Sequence, residues 1–311
     1  MEDEIIELGM RTIKEKSEIF GDDAGAFRIF GTWMIFTNDM LVGSSDVVRE
    51  MSYEDVGFKV VTMNVSDISA MGGKPMFFAF SIGLPEHDKK LEKEIFEGIQ
   101  AGLKEYGMKL ISADTNSSKE LVIDGIAIGT SKKLLLRRNA KVGELVCVTG
   151  ELGRPLSALL ISLKNFKVEE DDREKIFEKL IRARARVEEG QKLTEFSECG
   201  IDISDGLIKE LKAISQASNV GMVIKPENLP IVEEVRDFCK INGLDQHLVA
   251  MNSGEEFELV FTVKKERVDE IDFDFTVIGE VVREKGVFVE RDGKIEKPKD
   301  LSWRHFESSI L

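Results

Sequence analysis

Residues 52–75 read SYEDVGFKVVTMNVSDISAMGGKP. Ser52 followed three residues later by Asp55 resembles a capping box, so a helix starts there. The GGKP run at 72–75 ends it. Val60, Asn64, Asp67 and Met71 recur three or four residues apart and therefore share one helical face. An Asn and an Asp among apolar neighbours on that face predict a polar site at the edge of a core.

Working outward, GTWMIFTND (31–39) and MFFAFSIGLP (76–85) read as strands on either side of this helix. HDKKLEKEIFEGIQAGLKEYG (87–107) reads as an amphipathic helix, followed by strands in MKLISAD (108–114) and ELVIDGIAIGTS (120–131). Helical spacing is also present over residues 4–20. The polar break RRNAKVGE (137–144) divides the chain into expected domains 1–140 and 141–311. In the second half the pattern predicts a strand at LVCVTG (145–150) and a strand-to-helix turn in ELGRPLSALLISL. A charged helix over 172–197 follows, then a turn into a helix in DISDGLIKELKAISQAS (202–218). A strand is expected in GEEFELVFTV (254–263), and hairpins in FTVIGEVV with GVFVERDGKIEKP. Neither half shows a strict βαβ alternation, so the expected class is α+β with mixed sheets.

Composition narrows the function. The chain has 311 residues and a formal charge of −15. A surface that acidic argues against nucleic acid or anionic membrane as the main partner. It admits a phosphorylated ligand whose charge is met by a divalent cation. The three cysteines are far apart and form no CxxC, which points to a reducing cytoplasm and not to disulfides or zinc. The acidic start MEDEIIELG is unlike a signal peptide, and no apolar run nears the ~18 residues of a membrane span.

The acidic residues carry the chemistry. GDDAG (21–25) sets Asp22 and Asp23 side by side, and adjacent carboxylates need solvent or a cation. Asp23, Asp39, Asp67, Asp114, Asp202 and Asp205 each fall at a predicted element end beside small residues, where backbone can approach a ligand closely. Taken singly, each is an ordinary turn or cap residue. Taken together, converging carboxylates without His or Cys suit Mg²⁺. No Walker A, GxGxxG or kinase catalytic-loop pattern occurs, so any nucleotide is held by another architecture.

The ordered set GDDAG, TNDMLVGSSDV, VGFKVVTMNVSDISAMGGKP, SIGLP, ADTNSS, LRRNAKVGELVCVTGELG, DISDGL, LPI, SGEEFELVFTV and SWRHF resembles the thiamine-monophosphate kinase family, in its archaeal branch. That family belongs to the aminoimidazole ribonucleotide synthetase-like superfamily. The resemblance implies ATP-dependent phosphorylation of thiamine monophosphate to the diphosphate, by direct in-line transfer with several Mg²⁺ ions. It also implies a homodimer whose N-terminal domains share a β-barrel, with ATP in a cleft at the interface. By position, it assigns metal binding to Asp23, Thr37, Asn38, Asp39, Asp67, Asp114, Asp202 and Asp205, with Asp23, Asp67 and Asp202 as the catalytic group. Phe96, Ala113, Asp114, Arg137 and Ser204 fall at nucleotide-contacting positions, and Asp46, Glu255 and Trp303 at acceptor-side positions. An aromatic face at Trp303 and a carboxylate at Glu255 suit a cationic thiazolium ring.

The chain departs from the family pattern at Asn38 (a hydroxyl residue elsewhere), Asp46 (often His), Ala113 (Gly) and SGEEF (GGEDY). A side chain at Ala113 would make a positive φ costly there. These departures fall on the acceptor side and the loops, which leaves two other readings: a relative with a different acceptor, or a non-catalytic nucleotide-binding homologue.

Overall fold

The structure, a computed structural model, describes residues 5, 8–9 and 11–302. Trp303 lies outside them. Two sheets organise the chain.

The first is built from β1 (Gly25–Ile29), β2 (Thr32–Val42), β3 (Lys74–Leu84), β4 (Lys109–Ser117) and β5 (Val122–Ser131), in the order β1-β2-β5-β3-β4. Only the β3–β4 pair is parallel. Its crossover carries a helix, as parallel connections require. Among the described residues this half also contains the single turn α1 (Gly43–Asp46), α2 (Tyr53–Ala70) and α3 (Lys89–Glu105). The capping box forms as expected: the Ser52 side chain accepts from Asp55 N, and the Asp55 side chain accepts from Ser52 N.

Strand alternation decides what α2 meets. Ile35, Thr37 and Leu41 of β2 are buried and lie on the face toward α2, whereas Phe36, Asn38 and Met40 point the other way and are exposed. Phe27 and Ile29 of β1 pair with Met34 and Thr32, so this outer face is apolar and open.

The second sheet has seven strands: β6 (Leu145–Thr149), β7 (Cys199–Asp202), β8 (Gly221–Ile224), β9 (Leu259–Val263), β10 (Phe275–Val282), β11 (Gly286–Arg291) and β12 (Lys294–Glu296), in the order β12-β11-β8-β10-β6-β9-β7. Helices α4 (Arg154–Lys164), α5 (Glu170–Arg182), α6 (Val187–Phe196), α7 (Leu207–Ser218), α8 (Glu233–Asn242) and α9 (Gln246–Asn252) accompany it. Alternate residues of β6 serve different cores. Val146 and Val148 join Leu207, Leu211 and Phe238, while Cys147 joins Phe261 and Leu193. Cys147, Cys199 and Cys239 are all buried free thiols. Among the described residues no helix is long and apolar enough to cross a membrane.

Several expectations are corrected. Ile13–Phe20 is not helical; Ile19 instead bridges to Ala26 beside the first sheet. The expected helix over 172–197 is broken between α5 and α6, where Ala185 N donates to the Tyr106 hydroxyl and Arg186 reaches Glu258. Asp39 and Asp114 do not stand at strand ends, since β2 runs on to Val42 and β4 to Ser117. Ala113 accordingly has no positive φ and pairs with Phe80. Residues 254–258 do not extend β9, because Glu255 and Phe257 sit at φ 55° and 50°. β10 and β11 do not form a hairpin; each pairs with β8. The β11–β12 hairpin does form, with Asp292 and Gly293 both at positive φ.

α2 and α3 cross at glycines. A Cβ on Gly57 would lie 2.0 Å from the Ile95 carbonyl oxygen, and one on Gly98 1.9 Å from that of Glu54. A mid-helix Gly→Ala change ordinarily gains up to about 1 kcal/mol. Here the sign should reverse: Gly98→Ala is expected to destabilise by about 3 kcal/mol through forced separation of the helices. Urea unfolding checks this, and an unchanged midpoint refutes the close crossing.

Candidate active site

The site forms where the end of α2 meets both sheets. Asp67 lies on the last turns of α2, and its Oδ2 accepts from Thr37 Oγ1 of β2 at 2.5 Å. Its neighbour Ser66 donates to Asp202 Oδ2, at the end of β7, also at 2.5 Å. Consecutive residues of one helix thus hold the Asp202 carboxylate of the second half and supply the Asp67 carboxylate of the first. Asp23 arrives from the GDDAG bend, and oxygens of Asp23, Asp67 and Asp202 all lie within 4.8 Å of one another.

Asp39 is fixed one strand position beyond Thr37's neighbour Asn38. Its backbone N–H donates to Asn64 Oδ1 at 3.1 Å, and the Asn64 amide donates back to the Val60 carbonyl. The polar face read from the sequence of α2 is therefore in use: Asn64 orients β2, and Asp67 joins the cluster. Asp205 stands nearby, paired with Lys209 at 2.7 Å, and its backbone N–H donates to the buried Glu210.

Electrostatics follow from the crowding. Two carboxylates 4.8 Å apart repel by about 3.5 kcal/mol at an effective dielectric near 20. Burial raises the carboxyl of Asp67 well above its ordinary range, with Asp39, Asp202 and Asp23 adding to it. Burial likewise raises Asp202, then Asp23. Burial, Asp205, Asp124 and Asp23 push Asp39 up to about 6. Burial, followed by Asp205 and Asp202, raises Glu210.

One cation answers part of this field. Arg137 Nη2 pairs with Asp23 Oδ1 at 2.5 Å, and its backbone N–H donates to Asp22 Oδ1. Burial alone would pull the guanidinium down; Asp23 and Asp22 more than reverse that. The adjacent carboxylates of GDDAG are thus both turned toward Arg137. Even so, Asp23 Oδ2 is buried with no hydrogen-bond partner. An orphaned carboxylate oxygen is costly. With a donor set made wholly of carboxylate and hydroxyl oxygens, the cluster fits a hard divalent ion such as Mg²⁺.

The other sequence-derived positions fall in two groups. Asp46 and Glu255 meet through Lys59 of α2, which donates to the Asp46 carbonyl at 2.9 Å and pairs with Glu255 Oε1 at 2.5 Å. Ser204 accepts from the Glu255 backbone N–H at 2.6 Å. Asp114 and Ala113 lie apart on the exposed strand β4, and register places Asp114 beside Ser81 and, across β3, Asp124. That row pairs with Met40, on the sheet face opposite Thr37 and Asp39. The Asn38 side chain points to this outer face too. Phe96 is half-exposed on α3, its ring 5.9 Å from that of Phe80.

The sequence assigns no role to Asp22, Asp124, Glu210 or Lys59. Asp22 was visible in GDDAG, but Glu210 and Lys59 stand in helices where a charged residue reads as solvent-facing.

Two outcomes are expected. Arg137→Gln should destabilise the metal-free protein by about 3 kcal/mol, because it strands a buried carboxylate. Less should be lost with Mg²⁺ present, as thermal melts with and without the ion will show. The second concerns pH. With Asp39 raised to about 6 from 3.8, folding favours its protonated form. That contribution is whole below the unfolded value and disappears as pH climbs through 6. The metal-free protein should therefore melt higher at pH near 5.5 than at pH near 7.5, and Mg²⁺ should close the gap at the higher pH. A Tm indifferent to Mg²⁺ would contradict a cation site.

Comparison with known proteins places this geometry. Residues 21–131 match the family model of the AIR synthase related protein N-terminal domain, and 141–292 that of the C-terminal domain. Thiamine-monophosphate kinase of Pyrococcus horikoshii is 51% identical over 288 residues, covering 92% of this chain and 91% of that protein. The Pyrococcus abyssi protein of the same name is 47% identical over 310 residues, covering 99% and 97%. A solved structure described as AaThiL complexed with AMPPCP and TMP superposes with a TM-score of 0.90 at 28% identity, covering 98% of this chain and 97% of that one. The chain therefore has the two-domain α+β fold of AIR synthase related proteins and belongs to the thiamine-monophosphate kinase family.

Proposed function

We propose that this chain transfers the γ-phosphoryl group of ATP to thiamine monophosphate, giving thiamine diphosphate. The observation that carries the reading is the convergence of Asp23, Asp67 and Asp202, from three distant segments, beside Arg137. The family membership and the likeness to a structure described as holding AMPPCP and TMP support it.

Phosphoryl transfer asks a protein for positioning and charge neutralisation more than for covalent chemistry. The hydroxyls at the cluster, Thr37 and Ser66, both donate to carboxylates and so serve as holders. The attacking atom is then an oxygen of the acceptor's own phosphate, in line with the bond to the leaving diphosphate. Mg²⁺ held by Asp23, Asp67 and Asp202, with Asp39 and Asp205 close by, would neutralise the phosphate oxygens. Arg137, at the rim of the cluster, adds a fixed positive charge toward them. Glu255 and Asp46 mark the acceptor end, and Trp303 is assigned there on the family resemblance alone.

We also infer a homodimer. The apolar outer face bearing Phe27, Ile29, Phe36 and Met40, with the uncovered edge strand β4, suits closure against a second copy as a shared barrel. Asp114, Ala113 and Asn38 lie on or beside that face or edge, so their assigned nucleotide and metal roles belong to such an interface. A division of the chain near residue 140 fits the two separate sheets, and the buried free thiols fit a reducing cytoplasm.

An assay with ATP, Mg²⁺ and thiamine monophosphate should yield thiamine diphosphate and ADP in equal amounts. Asp67→Asn should lower kcat at least about 100-fold. It should leave the metal-free Tm equal or higher, since it removes a repelled carboxylate and keeps an acceptor for Thr37. Binding of ATP without turnover would reject the kinase reading; equal loss of activity and stability would recast Asp67 as structural.

A further inference from the structure

Lys59 lies on α2 with its side chain only 5% exposed. A lysine is buried to that degree only when it is paired. Its ammonium group makes two contacts, and each goes to one of the acceptor-end positions. It donates to the Asp46 backbone carbonyl and pairs with Glu255 Oε1. Asp46 and Lys59 come from the first sheet's half of the chain, and Glu255 from the other.

Glu255 sits in the left-handed region at φ 55°, where a residue with a side chain persists only if its surroundings hold it. Its backbone N–H donates to the Ser204 carbonyl, and its side chain is 28% exposed. One carboxylate oxygen is thus tied down while the group stays partly exposed. The Asp46 carboxylate is likewise committed, accepting from Val42 N at 2.6 Å. Lys59 does not belong to the carboxylate cluster, which α2 meets further along, through Asn64, Ser66 and Asp67.

From this geometry we infer that Lys59 is a positioning residue for the acceptor: it orients Glu255 and the Asp46 turn across the two halves of the chain. The inference rests on the proposed kinase reading, in which Glu255 faces the acceptor. Lys59 acts through Glu255, so its effect must be read in acceptor binding and must shrink when the Glu255 charge is removed.

The test is a cycle of Lys59→Met, Glu255→Gln and the double variant, with KM measured separately for thiamine monophosphate and ATP. Isothermal titration of thiamine monophosphate and thermal melts accompany it. Lys59→Met should raise the acceptor KM about tenfold and leave the ATP KM within about twofold. In the Glu255→Gln background it should add less than about twofold. The double variant removes both charges, so it keeps the comparison available if the single lysine variant folds poorly. Equal rises in both KM values, a lower Tm with unchanged KM values, or a full effect in the Glu255→Gln background would each overturn the inference. So would a fall in the acceptor KM, which would mark Lys59 as a competing counter-ion. If Glu255→Gln itself leaves the acceptor KM unchanged, the placement of the acceptor end fails with it. If Glu255→Gln raises that KM and Lys59→Met does not, only the role of Lys59 fails.

Discussion

The mutual repulsion of carboxylates gathered at the seam between the two sheets is the constraint around which the rest is arranged. Asp23, Asp67 and Asp202 come within 4.8 Å of one another, and Asp39, Asp205 and Glu210 add to the same field. Left alone, such a cluster works against folding. The chain tolerates it because hydroxyls of Thr37 and Ser66 donate into it, Asn64 fixes the strand beside it, and Arg137 neutralises one member. Some cost still stands, as the unpartnered Asp23 oxygen shows. Residual strain of this kind belongs to sites that complete themselves with a ligand.

The two ends of the site differ in how their charges are met. At the cluster, carboxylates outnumber the cations that face them. At Asp46 and Glu255, each carboxylate already has a donor, from Val42 N or from Lys59. The first arrangement recruits its ligand by net charge, which suits a divalent ion and a polyphosphate. The second relies less on net charge, because Lys59 offsets the Glu255 carboxylate. If the acceptor binds there, as proposed, its recognition depends more on the direction of hydrogen bonds and on shape, and directional contacts discriminate between ligands better than a bare charge does.

Much of the frame was legible because it rests on local rules. The capping box at Ser52, the period of α2 and the apolar strands each need only nearest neighbours to be recognised. Asp23, Asp67 and Asp202 stood out as acidic residues beside small ones, although their convergence is a tertiary fact. The misreadings occurred where a distant partner overrode local preference. Arg186 is drawn to Glu258 and so ends the long helix expected over 172–197. Glu255 and Phe257 adopt left-handed backbone because their N–H groups donate to Ser204 and Ile203. Lys59 and Glu210 were passed over for a similar reason: nothing in a helix sequence distinguishes a lysine or glutamate facing solvent from one facing a distant partner.

The glycine crossing of α2 and α3 has a bearing on selectivity. With backbone set almost against backbone at Gly57 and Gly98, α2 has little freedom to slide along its axis. Lys59 and Asp67 are eight positions apart on it, about 12 Å at the rise of an α-helix. In the proposed function the helix is therefore a fixed calliper between the acceptor end and the metal end. On that reading, a molecule much shorter than the span would not engage both jaws at once, whatever its charge.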